Sequence, residues 1–130
     1  PDPATLVLRA YQQLGAEWMH ALRGHYAIVV EDMTAGVVTA VRDAMGLHPL
    51  FVAPTSQGLL FSASIDALLA EPGVSRELNR VMLAEHLVHR WSDASETYFT
   101  AIRRVPQGHV FVRDRAGTRI LRYWDPAAHG

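Results

Sequence analysis

Apolar residues recur at largely helical spacing through TLVLRAYQQLG, where Leu6, Leu8, Ala10, Tyr11 and Leu14 predict a helix. Asp2 and Thr5 are its candidate caps and Gly15 its stop. GAEWMHALRG predicts a second, shorter helical piece ending at Gly24. The pattern then changes. HYAIVVED and VVTAVR are β-branched, almost continuously apolar runs around the turn MTAG, which predicts a hairpin covered on both faces. LFVAP and LLFSAS, separated by TSQG, predict another hairpin. IDALLAEPG predicts a short helix closed by Pro72 and Gly73. ELNRVMLAEHLVHRW predicts a helix capped by Asn79. TYFTAIRRVPQGH predicts a helical turn and a corner, and HVFVRDRAGTRILRYWD a closing hairpin. Helices, strands, helices and strands in that order argue for an α+β fold with antiparallel sheet.

The length of 130 residues fits a single domain, 1–130, large enough to bury a core. With 49% hydrophobic and 19% charged residues the chain is globular in composition. A net charge of −1 recruits neither nucleic acid nor an anionic membrane. The apolar runs are far short of a bilayer span and the first residues lack the build of a signal peptide, so a cytoplasmic location is expected. Two absences narrow the chemistry further. Cysteine is missing, which removes a thiol nucleophile and thiolate-bound zinc from this chain. All 12 basic residues are arginines, which removes a Schiff-base amine and a P-loop lysine.

The remaining candidate sites each have a plainer reading. Glu85, His86 and His89 share one predicted helix, and histidines three apart can meet on one face. They match neither zinc-protease spacing nor its inverse and no third ligand is marked, so ordinary helix-surface polarity is the better reading. Arg103, Arg104, Arg113, Arg115, Arg119 and Arg122 lie among Phe111, Tyr123 and Trp124, the ingredients of a single-strand binder. Strand alternation already explains them, with Val105, Val110, Val112, Ile120 and Tyr123 inward and charges outward. Pro1 invites a tautomerase reading, but a proline exposed by trimming is simpler. Ser62 and Ser64 lack the glycines of a nucleophile elbow. No catalytic residue and no metal site is expected in this chain.

RDAMGLHPLF, residues 42 to 51, combines an Arg-Asp pair, a lone glycine and a proline between two predicted strands, too much for a hairpin tip. Gly46 would allow a turn closed to other residues, and Pro49 would fix φ where the next strand starts. Arg42 and Asp43 would pair or bond loop backbone. This stretch resembles the RDxxGxxPLY-like segment of class II glutamine amidotransferase domains, especially those of asparagine synthetases. LRAYQQLGAEWMHALRGHYAIVVED resembles their helices and the strand leading to "G-x-F-A-x-x-x-x-D". GLLFSASIDALLAEPGVSRELN and RRVPQGHVFVRDRAGTRILRYWDP resemble their later segments, in order, from about Thr5 to Pro126.

The resemblance implies an αββα sandwich of antiparallel sheets, of the N-terminal nucleophile hydrolase type, here incomplete. It implies that an N-terminal cysteine attacks the glutamine amide with its own α-amine as base. Ammonia then passes to an ATP-dependent ligase domain that follows in the same enzyme. That domain is the expected partner and the holder of ATP and magnesium. No cofactor is expected in this chain, and a homodimer stays open. The cysteine, arginine and Asn-Gly elements would lie upstream of Pro1, so the chain alone should be inactive. An aspartate that grips the glutamine amine precedes the first helix in the family. Asp2 is the candidate for it, although the register puts Pro3 at that position. Ser64 and His48 stand where the family has glutamate and lysine. HRWSDASETYFTAIRRVPQGH also resembles asparagine synthetase-like (lasso-type) macrolactam cyclases of peptide biosynthesis, in which the domain would be a degenerate, non-catalytic module.

Overall fold

The computed structural model describes residues 2–90 and 93–129; the Pro1 reading lies outside them. Helix α1 spans Pro3–Leu14 and a 3-10 helix follows at Gly15–Ala21. Strands β1 (Ala27–Asp32) and β2 (Val37–Arg42) form one hairpin, and β3 (Phe51–Thr55) and β4 (Gly58–Ser62) the next. Helices α2 (Ile65–Leu69) and α3 (Arg80–Leu87) precede the short β5 (Arg103–Arg104). The hairpin of β6 (His109–Asp114) and β7 (Gly117–Arg122) and a turn of helix α4 (Pro126–His129) end the chain. Asp2 caps α1 through Thr5, Ser64 caps α2 through Ala67, and Asn79 caps α3 through Met82. Among the described residues no helix is long and apolar enough to cross a membrane.

The strands make two antiparallel sheets, β1-β2-β6-β7 and β4-β3-β5. Three packed layers of side chains hold them. Trp18, Val30, Val41 and Val110 pack the first sheet under α1 and the 3-10 helix. Ala40, Leu50, Val52, Val105 and Phe111 fill the space between the sheets. Phe51, Ala53, Leu68, Val74 and Ile102 cover the outer face of the second sheet under α2. Consecutive residues such as Ala40 and Val41, or Phe51 and Val52, therefore belong to different layers, because successive side chains leave a strand on opposite faces. The fold is α+β with two antiparallel sheets, an arrangement compatible with an αββα sandwich.

Two local expectations change. Strand β6 does not keep one inward face: Val110 is buried toward the helices and Phe111 toward the second sheet. Both faces are covered, so alternation sorts residues between two cores rather than between core and water. The segment after Thr97 makes a single turn, Ile102 N donating to Phe99 O, and β5 comes before the expected corner, which stands at residues 106–108 with His109 N donating to Pro106 O. The Thr97 hydroxyl donates to the carbonyls of Phe99 and Ile102, and the chain pairs as β5 at once.

The chain crosses between sheets twice, at residues 43–50 and again at 105–108, and the two crossings lie side by side. Val105 N donates to Leu50 O at 2.9 Å and Gly108 N to Asp43 O at 3.0 Å. Gly46 has φ +64°, and a Cβ there would stand 2.7 Å from Gln107 Cβ. Gly46→Ala is therefore expected to lose about 1–3 kcal/mol, from left-handed strain plus overlap. Gly36→Ala, at φ +69° with nothing within 4 Å, carries the strain alone and should lose less. Chemical denaturation of both variants checks this; equal losses would remove the overlap from the account.

Candidate functional site

Among the described residues β1 is bonded only to β2 and β4 only to β3, so one of the two edges of each sheet is unpaired beside α1. Both edges line the same groove, of about 870 Å³. One wall is α1, through Pro3, Val7 and Leu8; the floor runs from Ile28 and Val29 to Leu50 and Phe61. The Tyr11 hydroxyl donates to Asp32 Oδ2 at 2.9 Å and fixes α1 beside the far end of β1. That bond and the Ala35 backbone amide hold the Asp32 carboxyl below its usual range, the amide contributing most. Val29 is 42% exposed although its register partner Ala40 is fully buried between the sheets. The edges carry little to repel another strand: β4 has no charged residue and β1 has charge only at Glu31 and Asp32.

At the other end of β1 lies a polar cluster. Asp43 is 1% exposed, with its backbone N–H donating to Tyr26 O. Its Oδ2 lies 3.4 Å from Nδ1 of His25, a half-exposed ring that lines the groove. Its Oδ1 has no hydrogen-bond partner among the described residues. The Tyr123 hydroxyl donates to Arg42 O at 2.9 Å, so Tyr26 donates to Tyr123 across 2.6 Å. Burial pushes both phenols up, which keeps them as neutral donors.

Arg42 spreads its guanidinium over three carbonyls: Nε to His48 O at 2.9 Å, Nη1 to Val105 O at 3.0 Å and Nη2 to Gly46 O at 2.7 Å. It thus bonds backbone of both crossings, while Asp43 turns to His25. Pro49 lines the groove beside His48. Asp2 lies next to Pro3 at the groove wall, and its two carboxylate oxygens accept from the Thr5 amide and hydroxyl, each at 3.0 Å. Those bonds, the backbone one first, lower its pKa.

Ser62 lines the groove, whereas Ser64, His86 and His89 stand outside it, and His89 lies beyond the end of α3, at φ +57°, rather than on one helix with His86. Ser62 Oγ accepts from Ser64 N, and Ser64 Oγ from Ala67 N. His86 meets Tyr98 Oη at 2.7 Å, and among the described residues no three metal-ligating side chains come together. His25 belongs to no spacing motif. Its one signal is a place two residues before a strand whose neighbour ends at Arg42, with Asp43 next, visible only once the β1–β2 register is known.

A family model described as the glutamine amidotransferase domain matches residues 3–124. Over 121 residues the chain is 27% identical to glutamine-hydrolyzing asparagine synthetase 3 of Bacillus subtilis, covering 92% of this chain and 20% of that protein. It is 28% identical to the amidase chyE of Penicillium rubens, again over 92% of this chain and 17% of the relative. Glutamine-hydrolyzing asparagine synthetase 2 of Bacillus subtilis is 27% identical over 112 residues, 80% of this chain and 15% of its own. The chain spans a fifth or less of the length of these relatives.

Proposed function

Because the chain belongs to the glutamine amidotransferase domain family, we propose that it is the scaffold portion of such a domain in an ATP-dependent, amide-forming enzyme. The observation that carries this reading is the pair of unpaired edges on one apolar groove. An unpaired strand edge is a row of unmet backbone donors and acceptors, and it is completed by another strand. The attacking thiol would enter on that strand, since this chain has no cysteine of its own. Completed in this way the fold is of the N-terminal nucleophile hydrolase type. Asparagine synthetases that hydrolyse glutamine are among the relatives, which supports ammonia as the product handed on. ATP and magnesium would be held by the ligase domain that consumes the ammonia.

Alone, the 130-residue chain should release no ammonia from glutamine above a protein-free blank. A measurable turnover number for this chain sinks the proposal. A second reading, a degenerate and non-catalytic module, is favoured by Asp2. Both of its oxygens are already engaged by Thr5, which leaves less to hold a substrate amine. Glutamine-dependent ammonia release by the intact polypeptide decides for the first reading, and its absence for the second.

A further inference from the structure

We propose that the exposed face of α3 is where the ligase domain of the same polypeptide docks; this rests on the ATP-dependent reading above. The groove beside β1 and β4 is left to the strand that completes the sheets. No residue lining that groove lies on α3, so the two surfaces are separate. Helix α3 carries apolar residues on both sides, Met82 and Leu83 on one and Val81, Ala84 and Leu87 on the other. Yet it buries none of its residues. A helix that is apolar on all sides is ordinarily covered on all sides.

One side is accounted for. Asn79 N donates to Tyr98 O at 2.7 Å, its Nδ2 to Glu96 Oε2 at 2.8 Å, and Tyr98 Oη meets His86 at 2.7 Å. Leu78 pairs with Phe99 as an isolated bridge. These contacts set Met82 inward, where it lines a cleft with Ile65 and Thr97. The other side faces water. Val81, Ala84 and Val88, three and four residues apart, make one stripe, and Leu87 widens it. Val81, Leu87 and Val88 are 68%, 78% and 63% exposed. Leu78, 52% exposed, carries the stripe into a hollow of about 440 Å³ that it shares with Val81 and Thr100.

Size decides the occupant. Eight residues of helix are about 12 Å long and about 10 Å across, a face of roughly 120 Å². Two free copies need about 800 Å² each to stay together, far more than this stripe presents. A domain on the same chain is held at roughly millimolar effective concentration and docks through a patch too small for a free partner. The glutamine-hydrolyzing relative of Bacillus subtilis supplies such a domain's length, because this chain spans only 20% of it. The surface that fits is apolar, with one side chain entering the hollow and charges opposite to those of Glu77 and Arg80 at its rim.

The test uses the intact polypeptide, purified, carrying Leu87→p-benzoylphenylalanine or, as a control, Met33→p-benzoylphenylalanine at the exposed β1–β2 turn. Light should join position 87 to residues of the ligase domain within one polypeptide, and position 33 to none. Val81→Glu with Leu87→Glu should undock the face, so that amide exchange across residues 81–88 rises about tenfold or more while β2 and β3 are unchanged. Glutamate forms helix at least as well as the residues it replaces, so a rise reports undocking rather than a weaker helix. Positions 81 and 87 are exposed, which keeps these variants folded. Cross-links from 87 that join two copies, fall within residues 1–130, or form no better than those from 33 overturn the docking. Exchange unmoved by the two glutamates does the same. ATP binding by the wild-type polypeptide is read separately: where it is absent the ligase reading falls, and where it is present without the cross-link only the docking does.

Discussion

Replacing Arg42 by alanine is expected to lower the unfolding free energy by about 3 kcal/mol. The guanidinium donates to three carbonyls, of Gly46, His48 and Val105. A hydrogen bond from a charged donor contributes roughly 1.5–3 kcal/mol. Arg42 is only partly buried, so water recovers some of what alanine gives up and the sum is discounted. The removal of that charge from water, more than its repulsion from Arg104, is also what lowers the Arg42 pKa. The three carbonyls lie on two separate crossings, so their loss loosens the join between sheets rather than one turn. Lysine offers a point charge that cannot span the same fork, and Arg42→Lys should recover no more than about a third of the loss. Urea denaturation with an unchanged m-value measures both. A loss below about 1 kcal/mol for alanine would mean that the crossings hold each other without this side chain.

Much of this architecture is legible in the residues themselves. The β-branched runs of β1 and β2, with no polar face, mark strands covered on both sides, and the two cores meeting at Ala40 and Val41 are the physical reason. Asn79 and Gly15 mark helix ends because each meets a specific backbone need, an orphan amide at one and left-handed φ at the other. Strand β5 was hidden, since Arg103-Arg104 has no apolar pattern and is drawn in by Thr97 and by pairing with Phe51 and Val52. The single inward face read for β6 failed where Phe111, among arginines in sequence, is packed edge-on against Phe61 of the other sheet. The polar cluster was the least visible of all. His25, Asp43 and Tyr123 are far apart along the chain, and only the β1–β2 register and the return of β7 bring them together. Short-range pattern reports elements; a site made by long-range pairing leaves no periodic trace.

Trp18→Ala should cost still more, about 3–5 kcal/mol, the range for deleting a large buried aromatic. Among the described residues before β1, Trp18 is the only buried one, and α1 itself buries none. The indole fills the space among Val30, Val41 and Val110 and meets Tyr11 edge-on at 5.9 Å. Tyr11 in turn holds Asp32, so one side chain anchors both α1 and its hydrogen bond to β1. Its loss should therefore be felt beyond stability. The α1 face that walls the groove should loosen first, with faster amide exchange at Val7, Leu8 and Tyr11 than at Val41 or Val52, whose strands keep other partners. Phenylalanine keeps the edge-on contact and most of the volume, and Trp18→Phe should lose no more than about 2 kcal/mol. Denaturation midpoints and hydrogen exchange on the folded variants separate the two effects. If exchange rises equally in α1 and in the β2–β3 core, the tryptophan is a general core residue and the groove wall does not depend on it in particular.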